Sequence, residues 1–258
     1  MRRMPEETGN RRRPERRLGG QIQREVMQLI LDRGLRAGAP LPTETELMED
    51  LGVSRNSVRE ALKALQALDI VDIRHGYGTY VGEASLTPLV DGLTFRTLAR
   101  PVDDASALAE ILQVREVLEE GLIRRVAGTL SETELDRLES IVARMEIAGG
   151  TESAGPTDIP GREGGPFAEL DREFHELLYA SLGNALVPQL LGAFWTVFRR
   201  VSGIRGWTDD PAPEVTVRRH RDIVTALRAH DVEGAQRAMT VHFRGIEARA
   251  AQESRGVG

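Results

Sequence analysis

The sequence predicts a mainly α-helical protein in two parts, an N-terminal winged helix-turn-helix and a C-terminal all-helical bundle domain. Three observations lead there. The stretch 41–81, LPTETELMEDLGVSRNSVREALKALQALDIVDIRHGYGTYV, reads as a short helix, a tight turn, a second helix and a two-stranded hairpin. From about Ala105 onward apolar residues recur at helical spacing. Composition shifts between residues 82 and 104, which in a chain of 258 residues favours two cores over one.

Each element follows from local chemistry. Residues 1–17 are charged, contain Pro and Gly and show no apolar period, so a disordered basic tail is expected. The winged domain then spans 18–82. Ile22, Val26, Leu29 and Ile30 recur on one helix face, ending near Gly34, and Gly38 and Pro40 break the chain. Thr43 caps the next helix, with Glu46 completing a capping box and Leu47 and Leu51 on the buried face. Gly52 ends that helix and Ser54 caps another, running to about Leu68 with Val58, Leu62, Leu65 and Leu68 inward. Strands at 70–74 and 79–81 flank the glycine-rich turn His75-Gly76-Tyr77-Gly78.

Residues 83–104 read as a linker, in which 86–98 has the pattern of a short helix. The helical domain spans 105–250. Its first helix, 106–128, presents Leu108, Ile111, Leu112, Val114, Leu118, Leu122 and Val126 as its apolar positions. Ser131 and Glu134 form a second capping box, opening a helix to about Ala148. The segment 149–166, GGTESAGPTDIPGREGGP, is a loop by composition; helices follow over 166–181, 185–201, 213–229 and 232–250, with a disordered tail at 251–258.

Bulk numbers narrow the function. The formal charge is -6, but residues 1–82 hold 14 Lys/Arg against 12 Asp/Glu and the remainder carries -8. Seven arginines fall in 1–17, leaving 18–82 at -2, so attraction to DNA rests on the tail and a few placed arginines rather than on a basic surface. The absence of cysteine excludes disulfides and thiolate metal sites. No run approaches 18 uncharged apolar residues, and the basic start has no apolar stretch behind it, so neither a membrane span nor a secretory signal is expected. A soluble cytoplasmic protein is the expectation.

A helix that reads DNA needs donors in its first turns, where base edges and phosphates are met. Ser54, Arg55, Asn56, Ser57 and Arg59 supply them. Arg55 or Arg59 suits a bidentate contact to guanine, Asn56 a base or a phosphate, and the two serines phosphate. His75 and Gly76 form the wing tip, where a small residue lets backbone approach a minor groove. For Arg59 the competing reading is an ion pair with a neighbouring carboxylate, and for His75 an ordinary exposed turn. On LPTETEL (41–47), LGVSRNSVREALKALQALDIV (51–71) and RHGYGTYV (74–81), this region resembles the GntR family of bacterial transcription regulators. The resemblance implies operator contacts by Arg55, Asn56, Ser57 and Arg59, with His75 and Gly76 in the wing. Two positions depart from the family: Thr45 stands where an arginine that contacts DNA is usual, and Asp69 where a glycine is usual.

Further along, Asp171 and His175 lie four residues apart and share one helix face. If the last two helices form an antiparallel hairpin turning at His230-Asp231-Val232, His220 and His242 are each 11 residues from Asp231 and sit level across it. Three imidazoles and a carboxylate suit zinc, nickel, iron or manganese better than calcium. The competing reading is that each histidine separately caps a surface or fills a buried polar contact. On VREVLEEGLIRRVA (114–127), DREFHELLYASLGNALV (171–187), RRHRDIVTALRAHD (218–231) and AMTVHFR (238–244), the region is similar to the FadR-type C-terminal ligand-binding domain of one GntR subfamily. That similarity implies a divalent metal, zinc first, held by Asp171, His175, His220 and His242. It also implies that Arg115 faces a bound organic acid, against the alternative of a helix-surface pair with Glu119. Asn184 supports the turn after the metal-bearing helix and is the weaker candidate for effector contact.

These expectations describe a ligand-responsive transcription regulator, a repressor released by its ligand. It forms a homodimer on double-stranded operator DNA and senses a small carboxylate effector through a metal-containing helical domain. It is not expected to be an enzyme. Two alternatives stay open at the level of sequence: a metal-dependent enzyme acting on a small organic acid, and a constitutive DNA-binding dimer without effector.

Overall fold

The computed structural model describes residues 12–101, 106–151, 165–205 and 212–255, with side chains from 19 to 150 and from 165 to 246 within those ranges. The chain divides into two compact units, 1–88 and 89–258.

The first unit contains α1 (Arg12–Asp32), α2 (Glu44–Leu51), α3 (Arg55–Gln66), β1 (Val71–Arg74) and β2 (Gly78–Val81), and reaches the start of α4 (Thr87–Leu98). Helix α1 begins at Arg12, so the expected disordered tail is corrected: 12–17 are helical, and 1–11 lie outside the described residues. Arg and Glu are good helix formers, and Pro14 falls in the first turn, where its missing N–H costs no hydrogen bond. The Thr43–Glu46 capping box closes α2 at its start, and Gly52 ends it in the left-handed conformation at φ 64°. Helices α1 and α2 and strand β1 pack on α3, burying Ile22, Val26, Leu47, Val58, Leu62, Leu65 and Val71. Leu68 departs from the expected inward stripe. It is half-exposed because α3 stops at Gln66 and Asp69, at φ 57°, turns the chain toward β1.

Strands β1 and β2 are antiparallel, with Val71 opposite Val81 and Arg74 opposite Gly78. The segment before α2 adds a third edge: Leu41 N–H donates to Thr79 O and Val81 N–H to Ala39 O, each at 2.8 Å. The wing is thereby tied to the entrance of the helix-turn-helix.

The second unit comprises most of α4, then α5 (Ser106–Val126), α6 (Glu132–Thr151), α7 (Pro166–Leu178), α8 (Leu186–Arg205), α9 (Pro213–Arg228) and α10 (Val232–Arg255). A single 3-10 turn, Ala180–Leu182, follows α7. Helix α10 packs on α9 and α5, α6 on α7 and α9, and α8 on α5 and α7. The expected disordered tail from 251 is also corrected, since α10 continues to Arg255; 256–258 lie outside the described residues. The expected loop 149–166 gives its ends to α6 and α7, and 152–164 lie outside the described residues.

The consequential difference concerns α5. Its buried positions are Ala107, Leu108, Ile111, Leu112, Arg115, Glu119, Ile123 and Val126, while Val114 is 51% exposed. Reading apolar residues alone as the stripe placed Val114 inward. The true stripe runs through two charged residues.

Candidate metal centre and DNA-reading surface

In the first unit the expected DNA-reading residues lie together at the start of α3 and on the wing. Ser54 caps α3: its Oγ accepts from Ser57 N–H at 3.2 Å and lies 2.9 Å from Ser57 Oγ. Arg55 and Asn56 are exposed on the first turn, while Val58, one turn on, is buried. The cap therefore aims these side chains outward because the next residues anchor the helix inward. Arg59 is exposed too, but its Nε contacts both oxygens of Glu44 at 2.8 and 2.9 Å, so the ion-pair reading holds for Arg59 in this structure. His75 and Gly76 are exposed at the wing tip, with Gly76 at φ 82°, a backbone state that favours glycine. Between Gly76 and Gly78, Tyr77 is 82% exposed. An aromatic side chain in a hairpin turn has no core to enter.

Asp69 stands in the left-handed region, which accounts for the usual glycine there. Its carboxylate accepts from Ser85 N–H at 2.9 Å. A side chain at Gly82 would strike the Asp69 carbonyl, so the wing's exit strand needs glycine at that point.

In the second unit, α7 supplies Asp171 and His175, α9 supplies His220 and α10 supplies His242. One atom from each of the four falls within 4.8 Å of all the others. The expected hairpin is present, with His230 at φ 54° making the turn between α9 and α10 and the His220 and His242 rings 4.5 Å apart. The three histidines are 2% exposed or less; Asp171 keeps 19% of its side chain accessible, so the cluster meets solvent on its side. Phe174 and Phe243 border the rings edge-on.

The partners of the ring nitrogens bear on what the cluster could hold. His220 Nδ1 lies 2.9 Å from Thr216 O, and His175 Nδ1 lies 2.5 Å from Glu119 Oε2. Each partner accepts a hydrogen bond from Nδ1–H, which leaves the Nε2 lone pair to face the cluster. Nε2 of His175, Nε2 of His220 and both nitrogens of His242 are buried without a hydrogen-bond partner. His220 Nε2 does approach Asp171 Oδ1 at 3.2 Å, but outside hydrogen-bond alignment. Buried polar atoms are normally satisfied, and leaving one bare costs about 1–3 kcal/mol. Several of them aimed at one point could hold a cation. Nitrogen and carboxylate donors at this spacing fit a transition-metal ion with bonds of about 2.0–2.2 Å after slight contraction.

Charge states agree with that. Burial and the neighbouring His220 and His175 hold the His242 imidazole well below its ordinary pKa, in the neutral form that binds metals. Burial alone would raise the Asp171 carboxyl, but His220 and His175, when protonated in the absence of a metal, and the nearby Arg115 bring it below its usual range.

A pair on the helix surface is the alternative reading of Arg115 and Glu119. They are instead buried at 5% and 0% exposure, joined by an Nε to Oε1 contact of 2.6 Å. Burial raises the Glu119 carboxyl, yet His175 and Arg115 together bring it down to about 2. Tyr179 Oη lies 3.1 Å from Glu119 Oε2, and burial beside that carboxylate pushes the phenol well above its usual range. Glu119 and Tyr179 are the functional candidates that sequence reasoning missed. The signal was available: with Leu108, Leu112, Arg115, Ile123 and Val126, Glu119 completes one helix face. Asn184 is not part of this assembly. It is exposed before α8, where its Oδ1 accepts from Leu186 N–H at 3.1 Å and closes the turn that enters the helix.

Comparison with known proteins gives the same two-part division. Residues 18–81 match the family of bacterial regulatory proteins called gntR, and residues 110–245 match the FCD domain. The chain is 28% identical over 228 residues to the Bacillus subtilis HTH-type transcriptional regulator YcbG, covering 88% of this chain and 87% of that protein. It is 29% identical over 247 residues to the Enterobacter transcriptional repressor NanR, covering 92% and 88%. The Escherichia coli galactonate operon transcriptional repressor is 28% identical over 203 residues, covering 78% and 82%. A solved structure, Streptococcus agalactiae GntR, superimposes with a TM-score of 0.59 at 27% identity, covering 89% of this chain and 99% of that one. With a winged reading head, an FCD domain and relatives named as transcriptional repressors, the chain belongs to the GntR family and is a DNA-binding transcription regulator.

Proposed function

We propose that this regulator is a repressor whose FCD domain senses a small organic acid through a bound divalent transition metal, zinc before nickel, iron or manganese. One observation carries the reading: three buried imidazoles and Asp171 converge with their ring nitrogens unpartnered. Asp171, His175, His220 and His242 would hold the ion, which would supply a Lewis-acidic position for an incoming carboxylate. Arg115, buried beside the cluster, offers the guanidinium that would pair with the same acid. A sugar acid is the effector class to try first, because a similar protein is named as the repressor of a galactonate operon.

On the DNA side, Arg55 and Asn56 would meet base edges, Ser54 and Ser57 phosphate, and His75 and Gly76 a minor groove. Arg59 would have to exchange Glu44 for DNA. The protein would act in the cytoplasm as a homodimer on a two-fold operator. The effector would favour one arrangement of the two chains; about 1–3 kcal/mol of coupling is enough to change occupancy several-fold or more.

The test is metal analysis of chelator-stripped, reloaded protein, followed by a thermal-shift screen of organic acids on the loaded form. Near one ion per chain, and acid-dependent stabilisation that disappears on chelation, are expected. Protein that retains no metal, or an acid response indifferent to metal, would remove the reading.

A further inference from the structure

Glu119 divides its two oxygens between two partners that the proposed function treats separately. Oε1 takes the Arg115 Nε–H at 2.6 Å, and Oε2 takes the His175 Nδ1–H at 2.5 Å. The side chain is fully buried, so water supplies no alternative acceptor to either partner. Tyr179 adds a third donor, 3.1 Å from Oε2. We infer that Glu119 is a positioning residue that couples anion binding at Arg115 to metal binding at His175. This rests on the metal and effector reading above.

One shared negative charge links the two partners. A carboxylate hydrogen-bonded to the far nitrogen of a metal-binding imidazole fixes its tautomer and raises its basicity. The donors on Glu119 draw on the same negative charge, so each weakens what is left for His175. While Arg115 has no other anion, its guanidinium polarises Oε1 and makes Oε2 a poorer acceptor. An acid that engages Arg115 relieves that demand. His175 then becomes a better ligand, and the metal is held more tightly. Reciprocity requires that a loaded metal site also favour the acid. Apolar packing around the pair keeps this coupling from being screened: Phe243 lies under the Arg115 guanidinium at 5.3 Å, and Phe174 stands against His175.

The experiment uses the full chain and zinc alone, with affinity measured by competition against a chromophoric chelator. Folding of every variant is checked by circular dichroism. Glu119→Gln should weaken zinc binding about 10- to 100-fold. Arg115→Gln should tighten it, and the decisive quantity is whether that gain depends on Glu119. If coupling passes through the carboxylate, Arg115→Gln tightens binding several-fold in the native background and leaves it unchanged when Glu119→Gln is also present. An equal gain in both backgrounds would mean a through-space effect of the lost charge and would overturn the inference, as would zinc affinity indifferent to Glu119→Gln. Tyr179→Phe removes one competing donor without unpairing Arg115, and should tighten zinc modestly. If Glu119→Gln fails to fold, unchanged zinc affinity in Tyr179→Phe overturns the inference by itself. Wild-type protein that binds no zinc defeats the underlying reading as well, which separates the two failures.

Discussion

The two units use polar residues in opposite ways. At the start of α3, Ser54, Arg55 and Asn56 are exposed, come from consecutive positions and rest on a helix whose other face is aliphatic. In the helical unit the candidates, Asp171 apart, are buried, come from α5, α7, α9 and α10, and include imidazole nitrogens with no protein hydrogen-bond partner. The difference teaches where function and stability are separable. A side chain already in water can be removed from the reading head at little cost to folding. Removing a member of the buried cluster exposes the remaining charges to a dry interior, so binding and stability should move together.

That contrast can be broken or sharpened by four measurements. The largest effect is expected from His220→Ala or His242→Ala: metal content after stripping and reloading should fall from near one ion per chain to none. DNA binding by the metal-free form should persist, because the reading head is a separate unit. Loss of all DNA binding would contradict the division. Chelation of the native protein comes next. With zinc at about 100 times its dissociation constant, removal should cost about 2.7 kcal/mol of apparent stability. Calorimetry should assign the drop to the helical unit, and a drop confined to the winged unit would reverse the comparison.

Arg55→Ala should weaken binding to a duplex recovered by selection from a random library by more than about tenfold, roughly 1.4 kcal/mol, and should reduce the salt dependence if the contact is to phosphate. Its melting temperature should match the native protein, since the side chain is exposed. A lowered melting temperature would show that reading and folding are coupled there after all. The smallest effect is expected from Asn184→Ala, about 1 kcal/mol or less through loss of the hydrogen bond to Leu186 N–H. Zinc affinity and the acid response should not change. A lost acid response would restore Asn184 to the effector site.

Much of the winged unit was legible because its determinants are local. Thr43, Glu46, Gly52 and Ser54 place the helix ends by hydrogen bonds within a few residues, and Val58, Leu62 and Leu65 orient α3 by period alone. Leu68 departs for a local reason that the period does not show: α3 stops at Gln66, and the left-handed turn at Asp69 follows. In the helical unit the four metal candidates were reached by the spacing of a hairpin and by resemblance, and the geometry brings all four together. Arg59 shows a limit of another kind. Its helix position suits DNA, but only the fold shows Glu44 within reach, 15 residues earlier in the chain.

By itself, the sequence determined the order and kind of the elements, the outward-facing start of α3 and which residues were candidates for a metal, because capping, periodicity and residue chemistry act over a few neighbouring positions. Only the tertiary structure decided that Arg115 and Glu119 turn inward, that Glu119 reaches His175 across 56 residues of chain and that Asn184 stays outside. The reason is physical: a charged residue on a helix face is neutral evidence until the opposing helix shows whether it offers water or a partner. In α5 it offers a partner, and a stripe that looked broken by charge becomes the wall of the site.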